Sequence, residues 1–306
     1  VRKEEWPYEV RNSLAYQAIK SCHEEYGYPI DLSCQILQVS RSAYYKWGSG
    51  KLSARQRENM MLAEKIIEIH EAHPEKGYRG IRDELERYQG IHVGDKRVLR
   101  ICRAKGIHST IKYRIPGCTK ADKNPQHIAA NLLRQHFHAD RPDEIWLTDV
   151  TEFKWYEGPV VHKLYLSAIL DLYDRRIVAY IISDRNDNPL VFDTFRQAVT
   201  ENPDAHPIFH SDRGFQYTNN TFHHMLEEAG MTQSMSRKRE CQDNGPMEGF
   251  WGILKRERYY GKAFYSRESL VEMIEGFIHY YNTERLQRKL GVVTPLEKNA
   301  MYYAAA

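Results

Sequence analysis

The sequence predicts an all-α part followed by an α/β part that is built on a mixed sheet. Before about residue 110, apolar side chains recur only at helical spacing, whereas strand-like runs and helical segments alternate after residue 143. Residues 1–140 carry 24 Lys and Arg against 17 Asp and Glu, and residues 141–306 carry 20 against 24. This asymmetry favours a polyanion-binding part joined to a cation-binding part, although two ordinary solvated surfaces would also produce it.

Length and composition limit the number of domains and the compartment. A chain of 306 residues with 42% hydrophobic residues can form two or three domains with real cores. No apolar run has bilayer length and the first residues are charged, so we expect a cytoplasmic protein with no membrane partner. Five scattered cysteines indicate neither a disulfide framework nor a zinc site. Because the chain does not begin with Met, it is open whether a longer protein precedes Val1.

Residues 1–50 are predicted to form a helix-turn-helix domain. Residues 13–26 have helical spacing, a second short helix begins at Asp31, and Ser40 is a suitable N-cap for a third. The third helix would offer three side chains for DNA contact, namely Arg41, Tyr44 and Lys46. Because many three-helix bundles share this layout, simple packing would also account for it.

Residues 51–110 are predicted to form a second helical DNA-binding domain, which follows the Gly48–Gly50 hinge. The unit begins near Ser53 and continues through Tyr78-Arg79-Gly80-Ile81-Arg82 into a helix that ends near Gly90, and another helix starts over His92-Val93-Gly94-Asp95. Residues 95–120 contain eight Lys and Arg but only one acid, which would suit a duplex backbone unless the run is merely a solvated face. The predicted DNA contacts are Lys96, Arg97, Arg100 and Arg103.

A linker is predicted over residues 111–140, a catalytic domain over 141–262 and a C-terminal helical tail over 263–306. Strand-like segments cover 144–153, 160–172 and 176–183, a short strand ends at Asp212, and another covers 232–235. Helical segments cover 189–200, 219–229 and 246–260. Three strands, helix, strand, helix, strand, helix is the order of a ribonuclease H-like core with a five-stranded mixed sheet.

Three acidic residues are candidates for a catalytic metal site in this domain. Asp149 lies within the first strand, Asp212 ends the fourth strand, and Glu248 lies on the last helix. The first and fourth strands are neighbours in such a sheet, and the helix reaches the same place from the side. Carboxylates without Cys or His ligands suit Mg²⁺ or Mn²⁺, and two such ions would hold the attacking and leaving oxygens of a phosphoryl transfer.

Other acids near these positions have simpler explanations. Asp171 ends the second strand beside a turn, and an N-cap role at the start of the last helix would account for Asp243. Glu152 lies three residues after Asp149 and therefore faces the other side of a strand.

Basic residues near the last helix are further candidates for DNA contact. Lys255 is seven residues after Glu248 and therefore lies on the same helical face. Arg237, Lys238 and Arg239 precede the helix and could also meet a phosphate.

Several motifs together resemble the DDE transposases of insertion sequence family three, usually made as a fused OrfAB protein. These motifs are Trp146-Leu147-Thr148-Asp149-Val150-Thr151, His210-Ser211-Asp212-Arg213-Gly214-Phe215-Gln216-Tyr217, Ser234-Met235-Ser236, Asp243-Asn244-Gly245 with Glu248 and Lys255, Tyr281-Asn282 with Arg285, and Leu290-Gly291 with Thr294-Pro295. The helical front end also matches at Ser42-Ala43-Tyr44-Tyr45-Lys46-Trp47 and Tyr78-Arg79-Gly80-Ile81. Arg213 and Gly249 differ from many relatives, and the leucine zipper usual upstream in the family has no counterpart in residues 1–55.

The resemblance implies a metal-dependent enzyme that acts on double-stranded DNA, at the terminal inverted repeats of its element and at target DNA. Water would first release a 3′-hydroxyl, and this hydroxyl would then attack a phosphodiester bond in a strand transfer. Paired ends imply a homodimer or a higher oligomer. Two other readings are open: an integrase or nuclease on the same fold, and a DNA-binding descendant without catalytic activity.

Overall fold

A computed structural model describes residues 12–50, 52–111, 125–238 and 240–305 of the chain. The chain divides into two compact units, Val1–Thr110 and Ile111–Ala306. No helix in the described part is long and apolar enough to cross a membrane.

The first unit contains two helical clusters. The first cluster comprises α1 (Ser13–Tyr26), α2 (Ile30–Ile36) and α3 (Arg41–Gly48). Its small core is formed by Tyr16, Ile19, Cys34 and Tyr44. The three helices follow the prediction closely, although Pro29 rather than Asp31 is the N-cap of α2.

The second helical cluster comprises α4 (Ala54–Ala72), α5 (Tyr78–Gln89) and α6 (Asp95–Ala104). Ser53 and Gln56 form a capping box at the start of α4, which satisfies backbone groups that the first turn leaves unpaired. Leu62, Ile66 and Ile69 of α4 are buried in the core of this cluster. Met61, which is also apolar, is 68% exposed, so the buried face of α4 includes fewer residues than its apolar side chains alone would indicate.

The second unit is an α/β structure with one five-stranded sheet. Its strands are β1 (Ile145–Glu157), β2 (Val160–Asp171), β3 (Ile177–Ser183), β4 (Ile208–Ser211) and β5 (Thr232–Met235). Their order across the sheet is β3-β2-β1-β4-β5. The pairs β1–β2 and β2–β3 are antiparallel, whereas β1–β4 and β4–β5 are parallel. This mixed sheet confirms the predicted ribonuclease H-like fold class.

Helices cover both faces of the sheet. One face packs against α7 (Asn188–Glu201) and α8 (Asn220–Glu228), and the other against α9 (Gly245–Leu254) and α10 (Arg267–Thr283). Side chains alternate along β1, so that Trp146 is buried on the α7–α8 face and Leu147 on the α9–α10 face. By the same alternation, Asp149 faces the side of α9.

The segments predicted as a linker and a tail both contribute to this unit. The backbone N–H of Leu132 donates to the Ser234 hydroxyl, and that of Met235 donates to the Ala130 carbonyl, so this segment runs along the edge strand β5. Apolar residues of α10 lie in the same core as the sheet. The last helix, α11 (Pro295–Ala305), lies within the predicted helical tail and begins at the proline that ends the Thr294-Pro295 motif. Residues 112–124 of the predicted linker lie outside the described residues.

Candidate active site

Asp149 and Asp212 come together through the parallel pairing of β1 with β4. Leu147 of β1 is paired with His210 of β4, and both acids lie two residues further along. Because side chains alternate with a period of two, residues two positions beyond a pair project to the same side as that pair. Asp212 therefore follows the end of β4 beside Asp149, and the predicted adjacency of these two strands is confirmed.

Glu248 reaches this region from the first turn of α9. The start of α9 is attached to β1, because the Asn244 side-chain amide donates to the carbonyl oxygen of Thr148 at 3.0 Å. Glu248 is exposed, while Asp149 and Asp212 are partly buried. Solvent therefore reaches Glu248 more readily than the two aspartates.

Burial raises the pKa of all three carboxyl groups, and charge repulsion adds to the shift for Asp149 and Glu248. For Asp149, burial is the largest cause, followed by the charge of Asp212 and, more weakly, that of Glu248. Burial raises the pKa of Asp212, and burial with the charge of Asp212 raises that of Glu248. The charge of Asp212 therefore acts on both Asp149 and Glu248, and a bound cation would relieve this repulsion.

Two hydrogen bonds orient the aspartates. The indole N–H of Trp251 donates to Oδ2 of Asp149 at 3.0 Å, and the backbone N–H of Gly214 donates to Oδ1 of Asp212 at 2.8 Å. A Cβ atom on Gly214 would lie 3.0 Å from that same Oδ1. Residue 214 is therefore a glycine because its backbone closely approaches the Asp212 carboxylate.

His210 supports the end of β4 rather than serving as a ligand. It is fully buried, its Nδ1 lies 2.8 Å from the Ser234 hydroxyl, and its Nε2 lies 3.3 Å from the Ser236 hydroxyl. Burial lowers the pKa of His210 to about 4, so the imidazole is neutral at physiological pH. Because both ring nitrogens have partners, His210 connects β4 to β5 and holds the strand end that carries Asp212.

Tyr217 is a site residue to which sequence reasoning assigned no role. Its ring is 1% exposed, and its hydroxyl lies 3.2 Å from Oγ1 of Thr148, the residue before Asp149. Burial and the charges of Asp149 and Asp212 raise its pKa well above the usual range, so it remains a neutral phenol. Tyr217 therefore places a neutral hydroxyl against Thr148, the residue that precedes Asp149.

Lys255 lies near Asp149, at the point where α9 changes to a π-helix over Lys255–Tyr259. Its ammonium group is 5.1 Å from the centre of the Phe153 ring. Burial lowers its pKa, while the charges of Asp149 and Glu152 oppose that shift. The predicted single α-helix over 246–260 is thus interrupted, because the last five residues wind more widely.

The rival acids Asp171 and Asp243 hold local structure. Asp171 accepts backbone N–H groups from Asp143, Tyr173 and Asp174, which organise the turn after β2. Asp243 is fully buried and accepts from the side chains of Asn131, Gln135 and Arg237. It lies within a 3-10 helix, Cys241–Asn244, so the predicted N-cap role is wrong, although its role is structural.

The basic residues predicted on α3 have different surroundings. Arg41 is exposed but bound to Asp31 at 2.8 Å, and Lys46 is exposed. The structure corrects the proposal for Tyr44, whose ring is 7% exposed and packs against Tyr16 and Trp47 in the core. Tyr44 is therefore a packing residue, because its position on α3 faces α1 rather than solvent.

On α6, three of the four predicted residues share one exposed face. Lys96, Arg100 and Arg103 are exposed at spacings of four and three residues, whereas Val98 and Ile101 on the other side are buried. Arg97 is the exception, because its guanidinium donates to Glu58 and Asn59 of α4. That arginine attaches α6 to α4 and is not well placed for a DNA contact.

Near α9, Arg237 and Lys238 are both exposed. The Arg237 guanidinium binds both carboxylate oxygens of Asp243, at 3.0 and 2.9 Å. Arg239, which was predicted with them, lies outside the described residues.

Three family models match the chain. Two described as "Integrase core domain" match residues 139–241 and 229–295, which together contain all three acids. A third, described as "HTH-like domain", matches residues 56–114. The helix-turn-helix match therefore falls on the cluster of α4 to α6, whereas the sequence layout placed that motif in residues 1–50.

Relatives with known names extend over most of the chain. It is 34% identical over 278 residues to the "Putative transposase InsK for insertion sequence element IS150" of Escherichia coli (strain K12), which covers 90% of this chain and 95% of the relative. It is 43% identical over 209 residues to an "Uncharacterized transposase-like protein" of Haemophilus influenzae, covering 67% of this chain and 93% of the relative.

Among solved structures, the HTLV-2 integrase catalytic core domain in complex with magnesium aligns with a TM-score of 0.40 at 16% identity, covering 53% of this chain and 99% of that one. The family assignment does not depend on this alignment. The family is shown by the relative that spans 90% of the chain at 34% identity, together with the two integrase core matches. The chain belongs to the transposases of insertion sequence family three.

Proposed function

We propose that this protein cuts the terminal inverted repeats of its insertion sequence and transfers the resulting 3′-hydroxyl ends by a DDE mechanism. Asp149, Asp212 and Glu248 are the catalytic carboxylates, and two Mg²⁺ or Mn²⁺ ions are the cofactors. The observation that supports this most directly is that carboxyl groups from β1, the end of β4 and α9 interact electrostatically: the charges of Asp212 and Glu248 raise the pKa of Asp149, and the charge of Asp212 raises that of Glu248. Uncompensated acids in one place indicate a site for cations.

The donor set fits a hard divalent cation. Mg²⁺ and Mn²⁺ prefer carboxylate oxygens and water, and no Cys or His side chain competes at this position, since both ring nitrogens of His210 have serine partners. In the described part of the chain, no three acidic, His or Cys side chains already form a coordination shell. Rotation of the exposed Glu248 side chain toward the aspartates would be part of cation binding.

When bound, the ions would supply an activated oxygen nucleophile and neutralise the charge that develops on the phosphate. The protein side chains would position the reacting groups. Trp251 and Gly214 orient the two aspartates. Lys255, beside Asp149 on the Phe153 ring, is placed to hold a phosphate of the DNA backbone.

Double-stranded DNA would be bound in part by the exposed basic face of α6, formed by Lys96, Arg100 and Arg103. Exposed arginines and lysines along one helical face neutralise duplex phosphates and release counterions. Arg41 and Lys46 on α3, with Arg237 and Lys238 before α9, are further candidates. A reaction that joins two ends requires two copies of the end-binding unit, so we propose that a homodimer or higher oligomer forms on paired ends.

The test compares the three proposed catalytic acids with a further acid of β1. Asp149→Asn, Asp212→Asn and Glu248→Gln should each abolish metal-dependent nicking and joining of a labelled terminal-repeat duplex, while binding of the duplex changes by no more than a few-fold. Glu152→Gln is the matched control, because Glu152 lies three residues from Asp149 on the opposite face, where it binds Lys163 at 2.9 Å. A single site variant that cleaves as fast as the unmodified protein would refute the assignment. Nicking without joining would instead favour a nuclease, and binding without cleavage an inactive DNA-binding protein.

A further inference from the structure

Trp251 connects the helix that carries Glu248 with the carboxylate of Asp149. It lies three residues after Glu248 on α9, about one helical turn away, and its indole N–H donates to Oδ2 of Asp149 at 3.0 Å. With the Asn244 bond to the Thr148 carbonyl, this gives α9 two attachments to consecutive residues of β1. The two acids are thereby linked through one short piece of helix.

We infer that Trp251 is a positioning residue, which holds the Asp149 carboxylate in the orientation that binds the divalent cation. The inference rests on the proposed function, because it assigns a role within the same site. An N–H bond to Oδ2 occupies one oxygen and restricts rotation of the carboxylate about its terminal bond. The repulsion from Asp212 would otherwise favour rotation of Asp149 away from the position that a shared cation requires.

Packing explains the ring of Trp251 but not its hydrogen bond. The side chain is 6% exposed and its ring centre lies 5.0 Å from that of Phe250, so the indole fills core volume. A second, half-buried indole in the same unit, whose ring nitrogen is itself buried, shows that packing does not require an acceptor. The Trp155 N–H has no hydrogen-bond partner among the described residues, although its ring stacks on His162 at 4.1 Å. The bond to Asp149 is therefore a specific feature of position 251.

The spacing along α9 gives this contact a second consequence. Because Glu248 and Trp251 lie on one rigid helical turn, a shift of α9 that moves Glu248 also stretches the bond to Asp149. Trp251 thus couples the position of the Asp149 carboxylate to that of Glu248 through α9. We expect its loss to weaken cation binding more than it slows the reaction at saturating cation.

The experiment measures Mn²⁺ and Mg²⁺ binding to the full chain by titration calorimetry, in the absence of DNA. Trp251→Phe removes the N–H and part of the ring, and replacement of Trp251 by 3-benzothienylalanine exchanges N–H for sulfur while keeping the ring shape. Trp155→Phe is the matched control, since it removes a half-buried indole whose N–H has no partner in the described structure. We expect both changes at 251 to weaken Mn²⁺ binding by about fivefold to tenfold, somewhat less than the full effect of losing one hydrogen bond to a charged group, and Trp155→Phe to leave it unchanged.

A spectroscopic signal provides a second readout. The indole N–H resonance of Trp251, identified by its loss in Trp251→Phe, should shift on addition of Mg²⁺ with the same midpoint as the calorimetric titration, while that of Trp155 should not. In the cleavage assay, the 251 variants should need more Mg²⁺ for half-maximal rate but approach the normal rate at saturation.

The outcomes separate the two proposals. If the unmodified protein binds no cation, the proposed function itself fails. If it binds and the benzothienylalanine variant binds equally well, Trp251 contributes packing alone and the inference is wrong, whatever the phenylalanine variant does. An indole signal of Trp251 that is insensitive to Mg²⁺ would also overturn it.

Discussion

Replacement of Asp149 by asparagine should stabilise the cation-free protein while abolishing its activity. The pKa of Asp149 is raised in the folded state, mainly by burial and then by the charge of Asp212. At neutral pH the folded protein must therefore either hold a proton that the unfolded chain releases or tolerate the repulsion. This cost is present above the unfolded pKa of a carboxyl group and disappears below it, so Asp149→Asn should raise stability at pH 7.

The size of the effect follows from the size of the shift. The pKa of Asp149 is raised to about 8. Each pH unit between the unfolded pKa and pH 7 costs about 1.4 kcal/mol, for an upper value of about 4 kcal/mol. Because the side chain is partly exposed and solvent screens its charge, we expect about 2 kcal/mol. For an α/β unit of about 200 residues, this corresponds to a rise in Tm of about 4 to 8 °C.

The assay is thermal unfolding of the full chain at pH 7 and again at pH 5, with and without Mg²⁺. The gain in Tm should shrink toward pH 5, and Mg²⁺ at ten times its Kd should add about 1.4 kcal/mol to the unmodified protein but nothing to Asp149→Asn. Asp193→Asn is the control, because Asp193 is 54% exposed and pairs with Arg196 one turn away, so its loss should change stability by less than about 0.5 kcal/mol. A fall in Tm for Asp149→Asn at pH 7, or an undiminished response to Mg²⁺, would refute the electrostatic reasoning.

Two further predictions concern other parts of the chain. Arg100→Glu with Arg103→Glu should weaken binding to the terminal repeat and flatten its salt dependence by about two phosphate contacts. Gel-shift titrations over a salt range would measure this, and an unchanged salt slope would exclude this face as a DNA contact. Arg97→Ala should instead destabilise the helical cluster, as thermal unfolding would show, because it releases Glu58 and Asn59. Asp243→Asn should cost about 3 kcal/mol at pH 7, since Arg237 holds the pKa of this buried carboxyl below its usual range. That stability is present above the unfolded pKa and is lost as the pH falls, so the difference in unfolding free energy between variant and parent, measured in urea, should narrow from pH 5 toward pH 3. A difference that stays constant would contradict this prediction.

The main elements of the α/β unit, and the adjacency of the strands that lead to Asp149 and Asp212, were predictable because they depend on chain order. Alternating strands and helices determine which strands are neighbours, and neighbouring strands bring Asp149 and Asp212 together. Features that depend on register or on side-chain partners were not predictable. Arg97 pairs with Glu58, a partner 39 residues away, and Tyr44 faces a core that only the packing of α1 against α3 creates.

The role of Trp251 illustrates the same limit. Its spacing from Glu248 is visible in the sequence, but its acceptor lies on a strand more than a hundred residues earlier. Asp243 was recognised as structural for the wrong reason, because its true partners Asn131 and Gln135 lie in a segment that reads as a linker. Pro295 looks like the end of a motif in the sequence, yet it is the first residue of α11.

The central claim, that the three acids act on DNA through a bound cation, is tested most directly at the scissile phosphate. The measurement is the rate of strand cleavage on a terminal-repeat duplex in which one non-bridging oxygen of that phosphate is replaced by sulfur. Because Mg²⁺ binds sulfur poorly and Mn²⁺ accepts it, we expect the substitution in one stereoisomer to slow cleavage about tenfold or more in Mg²⁺, about 1.4 kcal/mol of transition-state stabilisation, and Mn²⁺ to restore the rate. An equal loss of rate in both metals for both stereoisomers would contradict direct contact between the cation and the phosphate.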